Sequence, residues 1–312
     1  MTLPLLPTRA GDLPLSQLID LYMAYYEGRD VTRVHRVSWW REQLAELPLR
    51  ELTDDRVFAS LQLLGSRSSR YYAGKDADGR SIYKARPRKV APATVNRYAA
   101  ALGAVITWAI KCRIAPVGFV HPCRTIERKR EDNEKTRFLS EDERTRLLVA
   151  CKASRWPRLY VLVLMALTTG ARKGELLGLR WGDIDLASGQ ASVRVTKNGD
   201  PRVLPLTPAV IEELKRFKAG ASSMVFASPR DSTRAFAFGP HFAKALEDAK
   251  VRNFRFHDLR HSCASLMAQS GRTLLEIADL LGHRQLQVTK RYSHLATGHK
   301  KAVVHAVFGA IA

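Results

Sequence analysis

Between Leu159 and Leu167 the chain reads LYVLVLMAL, apolar nearly all round a helix. Such a helix has no solvent face, so other elements must enclose it, and it is too short to span a membrane. A domain has to be built around it. Gly170 breaks the helix, and Arg172 opens the next. Gln190 to Thr196 alternates as a strand, Asn198-Gly199 supplies a tight turn, and Arg202 to Leu206 returns as its partner, which leaves Lys197 at the hairpin tip. Helices are expected at 208–217, 241–249, 258–269 and 273–281, with Gly282 stopping the last and His283 just past its end. Ser140-Glu141-Asp142-Glu143 is a capping box starting a further helix through Leu147 and Leu148. The fold class is mainly α with a small β-sheet.

At 312 residues the chain is long enough for two domains. From Leu13 to Lys111 apolar residues recur three and four apart, Leu15, Leu18, Ile19, Tyr22 and Tyr26 forming one helical stripe. Val95, Tyr98, Leu102, Val105, Ile106 and Ile110 form another, after Pro92 in a first helical turn. Between them, residues 65–90 carry eight Lys or Arg against two acidic residues, with Tyr71, Tyr72 and Tyr83 interspersed. That insertion cannot be a core element; it reads equally as a solvated loop or as a contact for a sugar-phosphate backbone. The expected division is a short tail at 1–12, a helical domain at 13–115, a charged linker at 116–135 and a second domain at 136–312.

Lys and Arg number 51 against 30 for Asp and Glu, a formal charge of +21. Such an excess repels itself in a compact chain and is best understood if a polyanion neutralises it in use. A generally basic protein without an anionic partner is the plain alternative. An acidic membrane surface fits poorly, because no separate basic amphipathic helix and no long apolar run is present. The first residues do not resemble a secretory signal, so a cytoplasmic location is expected. Cys112, Cys123, Cys151 and Cys263 are far apart, against both a disulfide framework and a zinc site; His121 with Cys123 lacks a second ligand pair.

Six side chains of the second half suit one chemistry: Arg172 in TTGARKGELLGLRW, Lys197 in VTKNGD, His257 and Arg260 in HDLRH, His283 in LLGH, and Tyr292 in KRYSH. A phosphodiester repels nucleophiles and has a poor leaving group, so its cleavage needs charge stabilisation and a proton. Arg172 and Arg260 can supply the charge as bidentate forks, in place of metal ions. Lys197 can protonate a 5′ oxygen, and His257, one turn from Arg260, can hydrogen-bond phosphate or take the tyrosine proton. His283 is another donor. Glu175 can orient the helix that carries Arg172. Tyr292 would be the nucleophile, its phenolate stabilised by the cations. Taken singly, Arg172 and Lys197 read as surface residues, His-x-x-Arg-His as a solvated basic face and Tyr292 as a packed aromatic. Their joint order outweighs those readings.

TTGARKGELLGLRW, the TKNG hairpin, HDLRHSCASLMAQSG, IADLLGH and TKRYSHL resemble, in this order, the tyrosine recombinase family, which includes phage integrases and Xer-type resolvases. The resemblance covers most of 136–295 and implies that Arg172, Lys197, His257, Arg260, His283 and Tyr292 are catalytic and Glu175 supports them. It implies a mixed α/β catalytic domain behind a helical core-binding domain, to which APATVNRYAAALGAVITWAIK is similar. The implied activity is site-specific cutting and rejoining of DNA through a 3′-phosphotyrosine, integrating or excising a mobile element, without metal or ATP. The implied partners are double-stranded DNA, three further copies in a synaptic homotetramer, and accessory DNA-bending or directionality factors. The dozen residues before the first helix are too few for an arm-binding module, and 302–311 would dock on a neighbouring subunit or on its own domain. The rivals are relaxation of DNA like a type IB topoisomerase and a non-catalytic DNA-binding regulator.

Overall fold

The structure, a computed structural model, describes residues 12–131, 137–194 and 201–296, with His305, Phe308 and Gly309 beyond them. The chain divides into two units, 1–133 and 134–312. In the first, the helical stripes become α1 (Leu15–Ala24), α2 (Arg33–Gln43), α3 (Asp54–Ser66) and α4 (Pro92–Lys111). Thr53 caps α3 by accepting the Arg56 N–H, and Pro92 occupies the first turn of α4, where a missing N–H costs nothing. Leu15, Leu18 and Ile19 are buried with Val37, Trp40, Val57, Leu61, Leu102 and Ile106. The Trp40 indole N–H donates to the Tyr98 carbonyl at 2.9 Å, whereas Nε1 of its neighbour Trp39 is buried with no partner among the described residues. Ile110, counted in the α4 stripe, is 39% exposed, because the stripe turns away from the core at the helix end.

Two stretches of this unit differ from expectation. Residues 65–90 are not a loop: β1 (Ser68–Lys75) and β2 (Ser81–Lys89) pair as an antiparallel ribbon. Tyrosines and a β-branched Ile82 suit a pleated strand, while the Lys and Arg between them keep it out of a buried core. The turn is held by Asp76 Oδ1, which accepts the N–H of Asp78 and of Arg80. The expected linker also departs from its reading. Its described part, up to Glu131, lies against α4: Asn96 accepts the Lys129 N–H at 2.9 Å and donates to its carbonyl at 2.8 Å, while the His121 ring lies 3.1 Å from both Gly103 O and Thr107 Oγ1. A charged composition hid this, since one side-chain amide can pair a strand's backbone whatever the strand's own side chains are.

In the second unit α5 (Glu141–Lys152) starts at the Ser140/Glu143 capping box, formed in both directions. The apolar run becomes α6 (Leu159–Thr169), of which only Tyr160 and Thr168 are not buried. After α7 (Lys173–Gly178) come β3 (Ile184–Asp185), β4 (Gln190–Val193) and β5 (Arg202–Pro205), an antiparallel sheet in that order. Ala191, Val193 and Leu204 turn inward and are buried, with Ala191 opposite Leu204. The tip between β4 and β5, with Lys197, lies outside the described residues. α8 (Pro208–Lys215) follows, then a second short pair that the sequence reading did not anticipate, β6 (Ala227–Ser228) and β7 (Asp231–Ala235), then α9 (Gly239–Asp248), α10 (Asp258–Gln269) and α11 (Leu274–Leu281). α5, α7, α8 and α10 all pack on α6, as its lack of a polar face demands. Short helical turns at Lys290–Ala296 carry Tyr292 against α10. The fold is mainly helical with small sheets.

Candidate active site

Two left-handed glycines organise the cluster. Gly170 ends α6 at φ 60°, and Gly282 ends α11 at φ 66°. A substitute at Gly170 would be strained by the left-handed φ, and its Cβ, 2.2 Å from Leu281 Cδ2, would force that buried side chain to move. Each glycine turns a carbonyl toward an arginine. Arg260 Nη1 donates to Gly170 O at 2.7 Å, and Arg172 Nη2 reaches Gly282 O at 3.4 Å. Helix ends normally leave such carbonyls unsatisfied, so here the orphan acceptors steer the two guanidinium forks.

Arg172 caps α7. Its backbone N–H donates to Glu175 Oε2 and its Nη1 to Glu175 Oε1, both at 2.8 Å. Arg202, at the start of β5, donates from Nη2 to Glu175 Oε2 at 2.6 Å and from Nη1 to Leu280 O at 2.6 Å. Burial pushes the Glu175 carboxyl up, but the Arg172 N–H and the two guanidinium groups more than offset it and hold it below its ordinary value. Glu175 therefore stays ionised between two arginines. Arg260 is 5% exposed. Burial, with Arg172 and Arg202 nearby, pulls it down to about 10, still charged at neutral pH. Its Nη2 has no partner among the described residues. An unpaired donor on a buried cation is costly unless something anionic completes it.

Three histidines flank these arginines. His257 caps α10, and His261 follows one turn on, the rings edge to face at 5.3 Å. His283 sits past Gly282, its Nδ1 2.8 Å from the buried Thr289 Oγ1. Burial lowers all three imidazoles, with help from Arg260 at His257, from His257 at His261, and from Arg260 and Arg172 at His283. His261 and His283 fall to about 4. At neutral pH both are uncharged.

Tyr292 is 1% exposed, its ring in a small apolar cluster with Ala264, Ile277 and Leu281. Its hydroxyl lies 2.5 Å from His261 Nδ1. Burial raises the phenol, while Arg291 and Arg260 act in the opposite direction. The structure thus brings Arg172, Glu175, His257, Arg260, His283 and Tyr292 into one electrostatically coupled region, and it adds Arg202, His261 and Thr289, to which the sequence reading gave no role. His261 had a usable signal: it stands four residues after His257, hence on the same helix face. Arg202 had none beyond its place in a strand. Residues 302–311 lie outside the described residues apart from His305, Phe308 and Gly309.

The family described as the phage integrase family matches residues 137–299. The shufflon-specific DNA recombinase of Escherichia coli is 34% identical over 181 residues, covering 56% of this chain and 44% of the relative. The integrase of Salmonella phage P22 is 24% identical over 288 residues, covering 85% of this chain and 71% of its own. This chain thus spans less than half the length of the first of these relatives. A lambda integrase dimer bound to a COC′ core site is similar in fold, at a TM-score of 0.64 and 20% identity over 88% of this chain and 97% of that one. Among the described residues no helix is long and apolar enough to cross a membrane.

Proposed function

This chain belongs to the phage integrase family, and from that premise we propose that it is a site-specific recombinase that cuts and rejoins DNA strands through a covalent 3′-phosphotyrosine. The observation that carries the reading is the pair of guanidinium groups, half-buried Arg172 and buried Arg260, steered by the two glycine carbonyls, with Arg260 Nη2 awaiting an acceptor. A scissile phosphate supplies that acceptor. Its non-bridging oxygens take the two forks, and the charge that grows on them in the transition state is met by dipoles and cations already oriented.

The Tyr292 oxygen attacks phosphorus, the bond from phosphorus to the 5′ oxygen breaks, and Lys197 protonates that oxygen. His257 hydrogen-bonds the phosphate or takes the phenolic proton, and His283 donates to a phosphate oxygen. Since the ring is 1% exposed, the segment bearing Tyr292 must leave its seat before it can attack. The phosphotyrosyl bond preserves the energy of the broken linkage, so a DNA hydroxyl can reseal it with no ATP and no metal. Double-stranded DNA is the substrate, four copies synapse two sites, and a helical core-binding domain in the first half grips the duplex together with the catalytic domain.

A duplex nicked to trap the covalent intermediate tests this. Wild-type protein should form a denaturant-resistant adduct, unchanged by a metal chelator, and Tyr292→Phe should bind the same DNA and form none. An adduct that persists in Tyr292→Phe defeats the assignment of the nucleophile. Relaxation of supercoils without recombinant product would favour the topoisomerase-like rival, and binding without any cleavage would favour the regulator.

A further inference from the structure

The β1–β2 ribbon supplies no side chain to the buried core of its own unit. Every residue of β2 is exposed, and β1 is nearly so, which leaves the ribbon no core to stabilise. A two-stranded ribbon alone in water is marginal at best, so its persistence calls for a partner. The register separates two faces. Tyr72 pairs with Tyr83, their rings 6.0 Å apart, and Arg70 with Ala85 on the same face; Tyr71 pairs with Lys84 on the other, where Arg86 stacks over Tyr71 at 5.2 Å. Both faces therefore mix cations with aromatic hydroxyls and offer little continuous apolar surface.

Acidic charge is confined to the turn. Asp76 and Asp78 are the only carboxylates of the segment, Asp76 is occupied by backbone N–H groups, and Asp78 stands 4.0 Å from Arg80. Along the stem, no carboxylate pairs with Arg70, Lys75, Lys84, Arg86, Arg88 or Lys89 among the described residues. We infer that this ribbon is a second DNA-binding element, lying along a duplex with its stem cations on phosphates and its tyrosines against sugars and groove walls. The inference rests on the recombinase reading for its partner. A two-stranded ribbon is one of the two elements a major groove admits, and unpaired cations interleaved with tyrosines suit phosphate and sugar better than a protein surface, where aromatic anchors would need an apolar setting.

Charge removal at exposed positions tests the inference without disturbing a core. Lys84→Gln, Arg86→Gln, Arg88→Gln and Lys89→Gln combined, in the full chain, should lower the slope of log affinity against log salt for a mixed-sequence duplex by at least two, since each lost phosphate contact removes about one. Affinity near physiological salt should fall at least tenfold. A second variant replaces residues 69–88 by Asn-Gly, keeping the Ser68–Lys89 pair; it should show the same loss. Unchanged slope and affinity in both variants, with wild-type protein binding the duplex, overturn the ribbon and leave the recombinase reading intact. If wild-type protein shows no salt-dependent duplex binding at all, the recombinase reading itself fails. Loss of binding to phosphatidylserine vesicles with duplex affinity unchanged would assign the ribbon to a membrane instead, and so overturn the inference.

Discussion

The cluster around Arg260 and the ribbon around Arg86 use the same residue type in opposite ways. Arg260 is 5% exposed, fixed by a backbone carbonyl and surrounded by other ionisable groups. Arg86 is fully outside, resting on one tyrosine ring. In the first setting the cost of burying charge is already met by the fold, so an arriving anion finds donors that need not reorganise. In the second the cations stay hydrated, and what an anion gains comes chiefly from release of its counterions, which salt can cancel. Position, more than charge, separates chemistry from adhesion.

The strongest way to break that contrast is Arg260→Ala. Rate of strand cleavage on the nicked duplex should fall about 100- to 1,000-fold, the usual loss when one preoriented transition-state donor is removed, while duplex affinity changes by less than tenfold. A cleavage loss under tenfold would mean that the buried guanidinium is structural. Arg202→Ala should come next, acting on stability. It strips one of two cations from the buried Glu175 and frees the Leu280 carbonyl, a loss of about 2 to 3 kcal/mol for hydrogen bonds to a charged group. Denaturant midpoints at constant m-value would measure it; a change below about 0.5 kcal/mol would show that Arg172 alone satisfies Glu175.

Acid should sharpen the contrast further. His261 and His283 have folded values near 4, below the ordinary 6.5. Between those limits the unfolded chain binds more protons, so stability is complete above about pH 6.5 and is lost progressively as pH falls toward 4. Thermal melting across that window should drop in wild-type protein and drop less in His283→Asn, whose amide keeps a partner for Thr289. An equal drop in both would place the acid-sensitive group elsewhere. His261 Nδ1 also lies against the Tyr292 hydroxyl, so its protonation would set a charge beside that buried ring in the same window.

What could be read from residues alone follows from how local the cause is. α6 announced itself because an all-round apolar run has one physical solution, and α10 and α11 because Asp258 to Gln269 and Thr273 to Gly282 carry their own period and stops. Arg172, Arg260 and Tyr292 could be singled out as an ordered set. The holders of the two arginines could not: Gly170 O and Gly282 O are backbone atoms, and any residue with a carbonyl would have read the same. Arg202 acts through contacts far away in the chain, and Thr289 through His283, six residues before it. The 65–90 segment failed for another reason. Charge density says that a segment is solvated, but a solvated ribbon and a solvated loop share one composition, and only pairing of Tyr72 with Tyr83 tells them apart.

The smallest effect expected anywhere is also the sharpest check on the ribbon's independence. Arg86→Ala removes a cation from above Tyr71, a contact worth about 0.5 to 1 kcal/mol at an exposed site. That energy belongs mainly to the ribbon itself, because the described residues of β1 and β2 add almost nothing to the buried core of α1 to α4. Global unfolding should therefore shift by no more than about 0.5 kcal/mol, the range of surface substitutions, against the 2 to 3 expected at Arg202. Amide exchange in the ribbon should rise all the same, since local opening there need not open the helices. If global stability instead fell by more than about 1 kcal/mol, the ribbon would be bracing the helical unit, and its cations would have a use in the protein before any DNA arrives.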